Sequence, residues 1–202
     1  MLSRNHLTSH LNIDVSKLTN RDIQRIIRQW LKEKPVAEIA RDFHKKRDHY
    51  QTMTTNILLG IGNSLNGDDG VGIYVAERFR KDNWIPFACG TAPENFTGII
   101  RKTRPSCLVL VDAAAMGISP GEYRIIPRDK IEDVSIGTHQ LPLTFLIDFL
   151  SDSVERIILI GIQPERTGMG EGISLPVRKG ADRLLYVLSS GELDRIPVLE
   201  SK

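Results

Sequence analysis

The chain has 202 residues, 41% of them hydrophobic, and 27 Lys and Arg against 25 Asp and Glu, which fits one ordinary globular domain with some chain to spare. No run approaches the roughly 18 consecutive apolar residues of a membrane span, and the polar N-terminus lacks the apolar core of a secretory signal, so the expectation is a soluble, cytoplasmic protein. Cys89 and Cys107 are the only cysteines and have no CxxC spacing, which indicates neither a disulfide framework, nor a structural zinc site, nor a redox pair.

The near-neutral total hides an asymmetry. Residues 1–55 carry 11 Lys and Arg against 6 Asp and Glu, and residues 56–202 carry 16 against 19, with the break near Met53. Upstream of it, Ile23, Ile26, Ile27, Trp30 and Leu31 repeat at helical spacing behind a capping-box pattern at Thr19 and Asp22. Lys32 to Pro35 interrupts the pattern, and Val36, Ile39, Ala40 and Phe43 resume it before the basic stretch Lys45-Lys46-Arg47. Residues 1–52 are thus expected to be a short all-helical extension resembling a helix-turn-helix. Three readings compete for it: an appendage contacting DNA or a partner, an arm packed on the main domain, or an extension outside the functional core, with Met53 as a usable start.

From Asn56 the order is strand, helix, strand, helix, strand, the pattern of a doubly wound α/β domain over 53–190. Ile57–Gly60 reads as the first strand, Val71–Lys81 as its helix, Ile85–Cys89 as a short second strand and Asn95–Lys102 as a second helix. Cys107–Val111 is a continuous apolar run, typical of a strand covered on both faces. Glu122–Ile126 reads as an edge strand, Leu141–Leu150 as a helix, Arg156–Ile162 as another central strand and Leu175–Leu188 as the last helix. The tail 191–202 reads as loose. The expected fold is a three-layer α/β/α arrangement, with a mostly parallel twisted sheet and helices on both faces.

The richest stretch is the turn GIGNSLNGDDGVG, Gly60 to Gly72, which joins the first strand to its helix and carries Asp68 and Asp69. Open α/β sheets place their chemistry at the carboxyl ends of the strands. On that rim fall Asp69, Asp112 after the run Cys107–Val111, His139 ahead of the helix near Leu141, and Gln163 after the strand ending at Ile162. Two carboxylates and an imidazole form a mixed oxygen and nitrogen set suited to a divalent transition metal, with coordination positions left open. Each has a plainer alternative. Asp68 or Asp69 caps the following helix, with capping assigned to Asp68 and function to Asp69; Asp112 is an ordinary strand-end carboxylate; His139 caps a helix; Gln163 ties down its own loop. The glycine-rich piece Thr167 to Gly172 is either a mobile loop on the same rim or a simple connector.

A nucleotide site is disfavoured. Leu65 occupies the third glycine position of a dinucleotide fingerprint, no P-loop lysine follows, and two carboxylates at the helix start repel phosphate.

These segments resemble a known family. The turn GIGNSLNGDDGVG, Thr91 to Asn95 (TAPEN), Arg104-Pro105, Val111 to Gly117 (VDAAAMG), Pro120-Gly121-Glu122, Gly137-Thr138-His139 and Gly161 to Pro164 (GIQP) together resemble the nickel-iron hydrogenase maturation endopeptidases, with the hydrogenase 3 type most similar. The resemblance covers nearly all of residues 54 to about 190. It implies a cytoplasmic protease, expected to be monomeric, that removes a short C-terminal peptide from the large-subunit precursor once nickel has been inserted. It implies that Asp69, Asp112 and His139 bind a metal, and that the metal is nickel carried by the substrate rather than held permanently. Asn63 and Gln163 are the expected substrate-binding residues, and the loop Thr167 to Gly172 is expected to help grip the peptide. Nickel then serves as a ruler and a checkpoint, and either the nickel or a carboxylate such as Asp69 activates the nucleophile.

Many members carry an acidic residue just before the glycine that leads into the TAPEN-type motif, and this chain has Ala88-Cys89-Gly90 there. That residue's role is not carried over, and nothing in the family pattern corresponds to residues 1–52. The competing reading from another class is a non-catalytic, metal-gated module that binds the precursor, its N-terminal helices docking a partner or DNA.

Overall fold

Alternating side chains in the apolar runs dictate the layering. The computed structural model describes residues 55–136 and 142–200; the helical extension expected over 1–52 and the His139 segment lie outside the described residues. The strands are β1 (Asn56–Ile61), β2 (Trp84–Gly90), β3 (Cys107–Ala115), β4 (Tyr123–Ile125), β5 (Ser135–Ile136) and β6 (Arg156–Ile162). The helices are α1 (Val71–Arg78), α2 (Thr97–Thr103), α3 (Leu143–Leu150) and α4 (Leu175–Ser190).

The sheet order is β2-β1-β3-β6-β4. β2, β1, β3 and β6 run parallel, β4 pairs antiparallel with β6, and β5 pairs antiparallel with the end of β3. Because successive side chains point to opposite faces, Ile57, Leu59, Leu108, Leu110 and Leu159 face one way and pack with Ile100 of α2 and Leu143, Leu146 and Leu150 of α3. Leu58, Val109, Val111, Ile158 and Ile160 face the other way and pack with Val71 and Val75 of α1 and Val177, Ala181, Leu184 and Leu188 of α4. The three-layer expectation is met over the described residues.

Local departures have local reasons. Helix α1 stops at Arg78, short of Lys81, because Phe79 turns extended (ψ 130°) to bury its ring edge-on against Trp84, centroids 5.4 Å apart. Thr97–Thr103 is preceded by a 3-10 turn at Pro93–Phe96 and ends at Arg104, which is left-handed with φ 46°; Pro105 disfavours helical geometry in the residue before it. Strand β3 runs four residues beyond the expected Val111, because β6 continues to pair with it through Ala113↔Ile162 and β5 then pairs with Ala114 and Ala115. The two-residue strand β5 has no sequence signal of its own.

The C-terminal tail is not loose up to residue 200. Ile196 is buried in the face that holds α1 and α4. The tail then runs along the free edge of β4, where Ile125 N–H donates to Pro197 O at 2.9 Å and Leu199 N–H to Ile125 O at 2.8 Å. An antiparallel edge strand of three residues leaves backbone groups unpaired, and the tail supplies them with partners.

Candidate active site

The connection from β1 leads to β2 on one side while β3 lies on the other, so the crevice between the carboxyl ends of β1 and β3 is a topological switch point, the position where such sheets bind ligands. The glycine turn fills its floor. Helix α1 sits hard against it: a Cβ on Gly60 would meet Gly72 O at 2.0 Å, and one on Gly72 would meet Ile61 O and Val111 O at 2.2 Å each. Gly62 is required twice over, by its φ of 132° and by the Asp69 carbonyl oxygen 1.8 Å from where a Cβ would stand.

Asp69 and Asp112 both approach Gly62, the first with its backbone carbonyl and the second with its carboxylate. Asp69, almost fully buried, is clasped by the Asn63 N–H, which donates to its backbone O at 3.1 Å and to its Oδ2 at 3.2 Å. Asp112 lies within β3, one residue past the last β1 pair, Gly60↔Val111. It is fully buried, its Oδ1 accepts the Ala113 N–H at 2.8 Å, and the same oxygen lies 3.7 Å from the Cβ position of Gly62. The backbone of Asp69 and the carboxylate of Asp112, 43 positions apart in sequence, thus both border one glycine. As hard anionic donors the two carboxylates suit a divalent cation. Among the described residues no group of three His, Cys, Asp or Glu forms a metal cluster; the third expected ligand, His139, lies outside the described residues.

Asp68 does not cap its own helix. The 3-10 turn Gly67–Gly70 has no side-chain cap, and the Asp68 side chain points away to the segment after β6. Its Oδ2 accepts the N–H groups of Glu165 and Arg166, both at 2.9 Å, and the Ser174 hydroxyl at 3.0 Å; its Oδ1 accepts the Ser174 N–H at 2.6 Å. A fully buried carboxylate is tolerated when donors saturate it, and each charge-assisted bond contributes about 1.5–3 kcal/mol. Ser174 is the residue before α4, so the charge also lies at the positive end of that helix.

Gln163 follows β6 as expected, but its carboxamide is engaged within the protein. Its Oε1 accepts the Met116 N–H at 2.7 Å and the Ile118 N–H at 3.4 Å, while Nε2 donates to Pro164 O at 3.1 Å. Its observed work is to brace the turn after β3. Asn63 uses its side-chain oxygen to accept the Leu65 N–H at 3.0 Å, an Asx-type turn. Asp68, read from the sequence as a helix cap, instead binds the segment after β6. Glu94 is the acidic residue the sequence reading missed: it lies in the loop after β2 on the same rim, and its Oε2 is shielded from water with no hydrogen-bond partner among the described residues; it stands in the TAPEN stretch, the only signal that marked it. Neither cysteine is a candidate nucleophile, since burial pushes the Cys89 thiol far up and also raises Cys107, the latter opposed by the charge of Arg156.

Comparison with known proteins decides the family. The hydrogenase maturation protease family matches residues 73–190, more than half of the chain. The chain belongs to the hydrogenase maturation protease family. The protease is 39% identical over 142 residues to the hydrogenase 3 maturation protease of Escherichia coli K12, covering 68% of this chain and 91% of that protein. It is also similar to a crystal structure of a hydrogenase 3 maturation protease, with a TM-score of 0.68 and 38% identity over 73% of this chain and 98% of the other. A crystal structure of a nickel-iron hydrogenase maturation protease from Thermococcus kodakarensis aligns with a TM-score of 0.61 at 34% identity, over 71% of this chain and 96% of that one. The protein is therefore a peptidase, and its reaction is the processing of a hydrogenase. Among the described residues no helix is long and apolar enough to cross a membrane.

Proposed function

We propose that this protease removes a short C-terminal peptide from the nickel-loaded large-subunit precursor of a nickel-iron hydrogenase, with the nickel arriving as part of the substrate. The observation that carries the reading is that Asp69 and Asp112 are both buried at the switch point of the sheet, with Gly62 bordered by the backbone of one and the carboxylate of the other. Two hard anionic ligands fit a cation that must dock and leave with its client, and His139 is the proposed third ligand. Fixed to these residues, a substrate-borne nickel places the peptide bond at a set distance from the rim and polarises its carbonyl or a water. A precursor without the ion lacks that register, so processing waits for metal insertion.

The remaining partners follow from this reading. The client is a protein, the protease acts as a monomer, and the compartment is the cytoplasm, where two free cysteines are at home.

The test is to mix the purified full chain with the large-subunit precursor, with and without nickel, and to follow precursor mass. A loss of a small C-terminal peptide only in the nickel-loaded sample is expected. Retained binding with unchanged mass would turn the assignment into a metal-gated binding module. A version beginning at Met53, run in parallel, assigns residues 1–52: equal processing places them outside the catalytic core.

A further inference from the structure

Asp68 is the buried acidic group that the reaction above does not use. Its carboxylate gathers both ends of one loop, at Glu165 and Arg166 on the near side and Ser174 on the far side. Two backbone bonds complete the stitching between this loop and the glycine turn: Asp68 N–H to Arg166 O at 3.1 Å and Gly170 N–H to Leu65 O at 2.9 Å. Gly67 lies so close that a Cβ there would stand 3.1 Å from Arg166 O. An ion pair between Arg166 and Glu171, 2.6 Å apart, stiffens the loop from within. The loop and the turn that carries Asp69 are therefore one unit, although about 100 residues of chain separate them.

That unit presents two apolar side chains to water. Leu65 of the glycine turn is 70% exposed and Met169 of the loop is 88% exposed. Their segments are joined by the Gly170 to Leu65 bond, four residues ahead of Asp69. Exposed apolar side chains on two hydrogen-bonded rim segments, one of them the turn that carries Asp69, fit an apolar residue of an extended peptide. Methionine is well suited to this because its unbranched thioether adapts to the shape of its partner.

We infer that Asp68 is a positioning residue and that the loop it holds, with Met169 beside Leu65, grips an apolar side chain of the client peptide next to the bond to be cut. This rests on the proteolytic reading above and names the part of the site that sets its specificity. Asp68 touches no substrate; it acts by keeping the loop at a fixed place relative to Asp69. The apolar pair contributes binding, so its removal raises KM and leaves kcat nearly intact.

The experiment is steady-state processing of nickel-loaded precursor by the full chain and by Met169→Ser, Leu65→Ser and Asp68→Asn. The two serine variants alter exposed side chains and leave the fold in place. Each is expected to raise KM by about tenfold with kcat within about twofold, and Asp68→Asn, which turns an acceptor into a donor facing N–H groups, is expected to do the same. Should Asp68→Asn fail to fold by circular dichroism, Ser174→Ala removes one donor from the same carboxylate and is expected to raise KM by a smaller factor. Changing apolar residues around the cut in the client to serine, one at a time, should identify one position where the loss in the wild type is not added to by Met169→Ser. Wild-type KM in both serine variants would overturn the grip. A loss confined to kcat in Asp68→Asn, or one that tracks its unfolded fraction, would overturn the positioning role. Failure of the unaltered protein to cleave at all would instead remove the proteolytic reading, and the same assay shows which has failed.

Discussion

Asn63 and Asp69 clasp each other across the glycine turn, the Asn63 N–H donating at once to the backbone oxygen of Asp69 at 3.1 Å and to its Oδ2 at 3.2 Å. The six-residue span between them is folded so tightly that the Asp69 carbonyl is carried back against Gly62, just past the end of β1. A side chain held this way has little freedom left to lose on binding.

Asp69→Asn and Asp112→Asn keep the shape of each side chain and remove its charge. Each is expected to lower the rate of precursor processing by at least about a hundredfold, since even outer partners of a metal site cost 10–100-fold when changed. His139→Ala is expected to match them as the proposed third ligand. Precursor mass against time, with circular dichroism to confirm folding, checks all three; a His139→Ala protein of normal activity would remove the three-ligand proposal.

Gly62→Ala is expected to lose at least about 2 kcal/mol of stability, because it combines a positive φ with a backbone clash at the Asp69 carbonyl. Gly98→Ala is the matched control. It lies in α2 with nothing within 4 Å of its Cβ position, and is expected to gain up to about 1 kcal/mol from helix propensity. Denaturant unfolding of the two variants should shift in opposite directions.

Ile196→Ala tests the tail as part of the fold. Ile196 is buried against the second core layer and leads the chain onto the edge of β4, so truncation is expected to cost about 2–4 kcal/mol. A loose tail would cost almost nothing. The midpoint of urea unfolding separates the two outcomes.

Cys89 is expected to resist iodoacetamide at pH 8 while the protein is folded and to react once it is unfolded, because burial holds it as a thiol. Cys107 is expected to react slowly for the same reason, with Arg156 partly offsetting the effect. Mass spectrometry of the treated protein measures this, and the folded, treated protein should process precursor at its normal rate.

Much of the fold was legible in local pattern. The runs Ile57–Gly60, Cys107–Val111 and Arg156–Ile162 are short, apolar and of strand length, the pattern of buried strands, and the segments between them carry helical spacing; a parallel α/β sheet fits that alternation. With the sheet comes its rim, so Asp69 and Asp112 were visible as site candidates before any coordinates. The glycines announced a close approach of helix and strand, though not which atoms they clear.

Tertiary structure decided what depends on partners distant in the chain. Of two adjacent aspartates, it tied Asp69 to Asn63 within the glycine turn and sent Asp68 to Ser174, 106 residues away, a choice no local propensity encodes. It turned Gln163 to the N–H of Met116 and laid the tail along β4. The reason is common to all of these: periodicity records which face of an element is buried, because burial repeats along the chain. A hydrogen bond between distant segments leaves no repeat, so its partners are defined only once the sheet has brought them together.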